Sequence, residues 1–193
     1  MLRITIFIRL IFEVIVLQRI SSVQPMRTPK TADFGFSFYA PYEAAVETAF
    51  LALCAARMQL EEESTPFAVR SMTFRLKSPA SIRDKLTRRG LPQSAEGAAY
   101  LHDIAGLRVV LSSVEAVYRF ADILRAWQFV CARDYIAVPK KSGYRSLHLV
   151  MLVPLCRNGK SASVPVEIQL RTPAMDMWAC VEHDLCYKPV KEA

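Results

Sequence analysis

Residues 134–148 read DYIAVPKKSGYRSLH and residues 166–172 read VEIQLRT. The first segment sets an aromatic ring, Tyr144, beside a Gly143 hinge and three cations, Lys140, Lys141 and Arg145. That set suits a purine base and its phosphates, because rings stack on bases and cations pair with phosphate oxygens. In the second segment, the period of two along a strand puts Glu167, Gln169 and Arg171 on one face and Val166, Ile168 and Leu170 on the other. A carboxylate between apolar neighbours on a central strand is costly unless a metal or cation answers it. The alternative for Glu167 is an exposed sheet face on which it pairs with Arg171. A third set, Arg75, Lys77, Ser81 and Lys85, puts two cations on a strand face and another on the next helix, whose first-turn amides are free. These groups either converge on a triphosphate or form a solvated basic face.

The elements that position these residues are legible in outline. Pro41 opens a helix running to about Leu60, with Val46, Ala49, Phe50 and Leu53 at helical spacing. Residues 71–77 alternate, with Met72, Phe74 and Leu76 on a buried face and Thr73, Arg75 and Lys77 on a basic one. Ser78 caps and Pro79 opens a helix that Gly90 stops, and Ser81 and Lys85 share one face of it. Residues 101–111 form a mostly buried strand, and Ser112 with Glu115 makes a capping box for a helix carrying Val117, Ala121 and Leu124. Strands over 146–153 and 164–170 join through Asn158 and Gly159. Thr172 and Pro173 start a last helix through Met175, Trp178, Val181 and Leu185. Alternation of strands and helices predicts an α/β (α+β) fold.

A chain of 193 residues, about half of them apolar, supports one globular domain with a real core. The net charge of +7 fits polyphosphates or nucleic acid as partners, or a basic surface in water. Because the cations gather near the motifs, nucleotides are the favoured partners. The clusters Arg83, Lys85, Arg88, Arg89 and Lys140, Lys141, Arg145 keep an RNA-binding strip as the alternative. Five cysteines without a CxxC pair suit reduced thiols and a cytoplasmic location rather than a disulfide framework or zinc knuckle. Arg9 and Glu13 interrupt the apolar start, so neither membrane insertion nor a signal peptide is expected. Met26 is a candidate true start.

In order and spacing these motifs resemble the synthetase domain of the RelA/SpoT-homologue family, in its single-domain branch of small alarmone synthetases. The resemblance runs from about Phe38 to Lys188. It implies an apolar extension over 1–37, a synthetase domain over 38–188 and a short tail over 189–193. The fold implied is a mixed β-sheet of about five strands flanked by helices, nucleotidyltransferase-like. The activity implied is transfer of the β,γ-diphosphate of ATP to the 3′-hydroxyl of GDP or GTP, making (p)ppGpp and releasing AMP. On this resemblance Arg75, Lys77, Ser81, Lys85 and Arg108 bind ATP, with adenine stacked by Arg75 and Arg108. Asp103 and Glu167 hold Mg²⁺, and Glu167 is the catalytic base or positions the hydroxyl. Tyr144 stacks on guanine, while Lys140, Arg145, His148, Gln169 and Asp176 line the acceptor site. Family members form homo-oligomers through helices beyond the segment 182–188, where this sequence continues only through 189–193. A catalytically weakened nucleotide- or RNA-binding module of the same fold is the rival function. The doublets His102-Asp103 and His183-Asp184 do not supply the histidines of an HD-type hydrolase.

Overall fold

The computed structural model describes residues 34–63, 68–157 and 160–187. Its scaffold is a five-stranded sheet of β1 (Val69–Leu76), β2 (Ala105–Leu111), β3 (Phe129–Asp134), β4 (Leu147–Arg157) and β5 (Lys160–Arg171). Spatial order is β1-β2-β5-β4-β3, with β2 and β5 parallel and every other pair antiparallel. The helices are α1 (Phe36–Glu63), α2 (Pro79–Arg88), the single turn α3 (Ala95–Ala98), α4 (Val114–Ile123) and α5 (Pro173–Tyr187). This is the mixed sheet flanked by helices that the family resemblance implied.

One sheet face is apolar throughout: Leu107, Val109 and Leu111 of β2, Ile168 and Leu170 of β5, and Met151 and Val153 of β4 are buried. The long helix α1 crosses β2, β4 and β5 on this side, and α4 packs beside it. Alanines at 45, 49, 52 and 56 of α1 are buried at helical spacing, so the helix lies close to the strands, with Leu53 and Leu60 filling between. Each such Leu, Ile or Val contributes roughly 1.5–3 kcal/mol by leaving water. The opposite face carries the polar side chains and is the one left for chemistry.

Several local expectations need correction. Helix α1 begins before Pro41, which lies inside it. Pro41 gives up one backbone bond there. Gly35 O accepts from the Phe38 and Tyr39 amides, and ring contacts of Phe38 with Phe34, Tyr39 and Tyr42 at 4.7–5.3 Å hold the first turns. Phe74 is 66% exposed rather than buried, because β1 is an edge strand. The strand expected from residue 101 starts at Ala105; the preceding turn still buries Leu101 and Ile104. Ser113, not Ser112, caps α4 through the Ala116 amide, because the Ser112 amide is held by Ala68 O at the sheet margin. Strand β3 was not anticipated; its one partner is β4, and it lacks a continuous apolar run. Ser78 and Pro79 open α2 as expected, and Gly90, at φ +64°, follows its end. The 158–159 turn, residues 1–33, residues 64–67 and the tail 188–193 lie outside the described residues. Among the described residues no helix is long and apolar enough to cross a membrane.

Candidate active site

Cross-strand register assembles the polar face. Arg75, Gly106, Glu167 and Val150 are partners across β1, β2, β5 and β4, and Thr73, Arg108, Gln169, His148 and Arg133 form the next row across all five strands. Gly106 leaves the floor between Arg75 and Glu167 without a side chain. Asp103, in the turn before β2, reaches the same place. Two clefts share Asp103 and Glu167 as a common wall. The first is lined by Thr73, Phe74, Arg75, Arg108 and Gln169, the second by Lys85, Arg89, His102, Cys131, Arg133 and His148.

Asp103 is the electrostatic centre. Lys77 Nζ and Lys85 Nζ both donate to its Oδ2, at 2.8 and 2.5 Å. Burial pushes the Asp103 carboxyl up, but the bonds and charges of the two ammoniums outweigh it and hold the group down to about 2. Lys85 is shifted down, because burial disfavours its charge more than Asp103 favours it, and Lys77 and Arg89 repel it. The carboxylate is the net beneficiary, since it has two cations while they share one anion. Each ammonium has three donors and so keeps capacity for phosphate oxygens.

Asp103 Oδ1 is buried and has no hydrogen-bond partner among the described residues. An orphaned carboxylate oxygen costs about 1–3 kcal/mol or more, so it marks a position for an electrophile. Glu167 lies across the same wall, close enough for Asp103 to raise its pKa. Burial raises it too, yet the bonds from His148 and Gln169 and the His148 charge win, and Glu167 is held below the usual carboxylate range. Among the described residues no cluster of three or more His, Cys, Asp or Glu side chains suits a metal. Magnesium commonly uses only one or two carboxylates beside water and phosphate, so this pair fits it.

Around Tyr144 the polar groups form a closed network. Its hydroxyl receives a bond from Arg171 Nη2 at 2.6 Å and lies 2.7 Å from His148 Nε2, while His148 Nδ1 lies 3.2 Å from Glu167 Oε1. Because Arg171 donates to the Tyr144 oxygen, the hydroxyl proton is free to point at Nε2. With a proton on Nδ1, which the imidazolium carries as well, His148 then donates toward Glu167. Gln169 donates to Glu167 Oε2 at 2.8 Å and accepts from Arg171 at 2.9 Å. Asp176 Oδ1 is shared by Arg171 at 3.0 Å and Arg108 at 3.2 Å.

The ring of Tyr144 is not an open platform: the residue is 6% exposed, and Lys140 Nζ sits over it at 4.5 Å and over Tyr135 at 5.0 Å. Nor is Gly143 a free hinge. It adopts φ +82° in a turn closed by its amide on Lys140 O, and Trp178 Nε1 donates to the adjacent Ser142 O at 3.1 Å. Asp134 secures the start of this segment through the Ile136 and Ala137 amides. Arg145 is turned to Ile136 O, Lys141 is exposed, and Ser81 is exposed with its hydroxyl bonded to Ser78; none of the three lines either cleft. Arg75, Arg108, Asp103, Glu167 and Gln169 meet in the first cleft, and Lys85 and His148 in the second.

Sequence reasoning did not select Arg171, although its parity with Glu167 and Gln169 was visible. It named Arg89 only within a basic cluster and passed over Arg133 and Tyr135; Arg133 was hidden because β3 carries no strong strand signal.

Residues 74–192 match the family model described as a region found in RelA / SpoT proteins. GTP pyrophosphokinase YjbM of Bacillus subtilis (strain 168) is 40% identical over 154 residues, 78% of this chain and 72% of that protein. The crystal structure of the small alarmone synthetase 1 from Bacillus subtilis bound to its product pppGpp has a TM-score of 0.71 at 40% identity, covering 79% of this chain and 80% of that one. A crystal structure of the same synthetase bound to AMPCPP has a TM-score of 0.63 at 32% identity, covering 78% and 76%. The family match takes in every charged side chain of the two clefts, from Arg75 on β1 to Glu167 on β5, and the chain belongs to the RelA/SpoT family.

Proposed function

We propose that this protein makes (p)ppGpp by transferring the β,γ-diphosphate of ATP to the 3′-hydroxyl of GDP or GTP. The observation that carries the residue assignments is the meeting of an orphaned Asp103 oxygen and an ionised Glu167 on the wall between two basic clefts. The cleft over β1 and β2 takes ATP, with Arg75 and Arg108 against adenine, while Lys77 and Lys85, joined at Asp103 on the shared wall, reach its phosphates from the boundary with the second cleft. The guanine nucleotide takes the cleft over β4, which His148 lines, together with the adjoining 140–145 segment: Tyr144 meets the base once Lys140 leaves its ring, and Lys140, His148 and, after turning from Ile136 O, Arg145 face its phosphates or the transferring group. Gln169 and Asp176 support the acceptor side, and Ser81 lies at the ATP-side helix start.

In the reaction the acceptor 3′-oxygen bonds to the β-phosphorus, the bond from that phosphorus to the α,β-bridging oxygen breaks, and AMP leaves with the electron pair. Glu167, held ionised, accepts the hydroxyl proton or aligns it. Lys77, Lys85 and Arg75 stabilise the charge that moves onto the phosphate oxygens. Asp103 and Glu167 would hold Mg²⁺, which when bound offsets the negative charge of the polyphosphate. Positioning supplies most of the acceleration, as expected where protein groups form no covalent intermediate.

The test is incubation of purified protein with labelled ATP, Mg²⁺ and each guanine nucleotide, followed by separation of products. A guanosine carrying a 3′-diphosphate, formed together with AMP, is the expected result. Nucleotide binding without any such product would favour the non-catalytic module instead.

A further inference from the structure

We infer that Arg171 is a positioning residue that couples the two nucleotide clefts. The inference rests on the assignment of Arg108 to the ATP side and Tyr144 to the acceptor side. Arg171 ends β5 and is only 3% exposed. A guanidinium so buried must be answered by acceptors. Nε donates to Ser146 Oγ at 3.4 Å, Nη1 to Asp176 Oδ1 at 3.0 Å, and Nη2 to both Tyr144 Oη at 2.6 Å and Gln169 Oε1 at 2.9 Å.

Each partner leads onward. Tyr144 reaches His148, Gln169 reaches Glu167, and Asp176 Oδ1 is held also by Arg108, which lines the first cleft. Arg108 is incompletely satisfied: its Nε is buried without a partner among the described residues. A ligand against Arg108 therefore changes a side chain with a bond still to make, and with it the grip on Asp176 Oδ1. Arg171 shares that oxygen. Its donors lie in one plane, so a shift at Asp176 cannot be absorbed without moving the bonds to Tyr144 and Gln169. In reverse, a base arriving at Tyr144 acts on the same plane. Coupling of this kind is reciprocal by necessity, so each nucleotide must tighten or weaken the other by one common factor.

The test measures binding of AMPCPP, with Mg²⁺, in the presence and absence of GDP, and of GDP with and without AMPCPP. Wild-type protein is expected to show a common coupling factor of about 5-fold or more. Tyr144→Phe removes only the hydroxyl that Arg171 holds, and Arg171→Lys keeps the charge but not the fork. Both should bring the factor close to one, whatever happens to the separate affinities, and melting curves identify a variant that has lost its fold. A wild-type factor of one, or a wild-type factor retained by folded Tyr144→Phe, overturns the inference. Tyr144→Ala keeps the two layers apart: if it leaves GDP binding unchanged, the acceptor-side assignment itself fails. If it weakens GDP while Tyr144→Phe keeps wild-type coupling, only the role of Arg171 fails.

Discussion

The cleft over β1 and β2 and the network around Tyr144 share a wall but differ in how far their polar groups are satisfied. In the first, Arg75 is exposed, Arg108 Nε is buried without a partner among the described residues, and Asp103 Oδ1 is orphaned. In the second, Tyr144, His148, Gln169 and Arg171 bond to one another, and Lys140 occupies the aromatic face. A nucleotide entering the first cleft gains bonds that nothing else makes. A base seeking Tyr144 must first exchange an internal contact, the Lys140 ammonium, for itself. On the proposed assignment, the ATP side thus presents polar atoms without partners among the described residues, on β2 and the turn before it, while the acceptor side is a closed set of contacts that a base would have to open.

The sharpest break is at the shared wall. Asp103→Asn takes away the charge that Lys77 and Lys85 surround, and turnover should fall by about 100-fold or more, the scale for losing one preorganised electrostatic group. The Mg²⁺ requirement should rise with it. A metal titration identical to wild type would remove Asp103 from the metal site. Next in size, Tyr144→Ala should raise the apparent constant for GDP or GTP by the equivalent of about 1–3 kcal/mol, the value of one base stack, and change that for ATP far less, by no more than the coupling factor between the clefts. Steady-state kinetics with each substrate varied in turn decides this, and equal weakening of both would erase the distinction between the sides.

Acid stability should report the Asp103 cluster. With its carboxyl held to about 2 against an ordinary ~3.9, Asp103 contributes on the order of 2 kcal/mol above pH ~4, lost as the pH falls through 2. Glu167, also held low, adds with the same sign. Thermal melts of metal-free protein between pH 5 and 2 should show this loss, and Asp103→Asn should show a shallower one. The smallest expected effect is at the loop anchor: Trp178→Phe removes the bond to Ser142 O and should change the acceptor constant by about 5-fold, near the 1 kcal/mol of a neutral hydrogen bond. An equal change for ATP would show that α5 steadies both sides.

How much of this was legible in sequence follows from the kind of signal each part carries. Period two in residues 166–172 placed Glu167, Gln169 and Arg171 on one face, as the β5 pairings bear out. The Ser78-Pro79 start and Gly90 stop of α2 were equally plain, because capping is chemistry within a few residues. The edge position of β1 was not, and Phe74 was misjudged because burial depends on what lies across the sheet. Asp103 could be reached only through family resemblance, since its ammonium partners come from position 77, just past β1, and position 85 on α2. The closing of Tyr144 under Lys140 was invisible for a similar reason. A sequence shows that an aromatic and a lysine are near one another, not that one sits on the other.

The most direct measurement is product formation by Glu167→Gln beside wild type, with ATP, Mg²⁺ and GDP, and with melting curves for both. If Glu167 is the ionised acceptor at the junction of the two clefts, the substitution keeps the Gln169 and His148 neighbourhood in shape but removes the charge. The fold should survive and formation of the guanosine 3′-diphosphate should cease. Near-normal product from a folded Glu167→Gln protein would contradict the account at its centre.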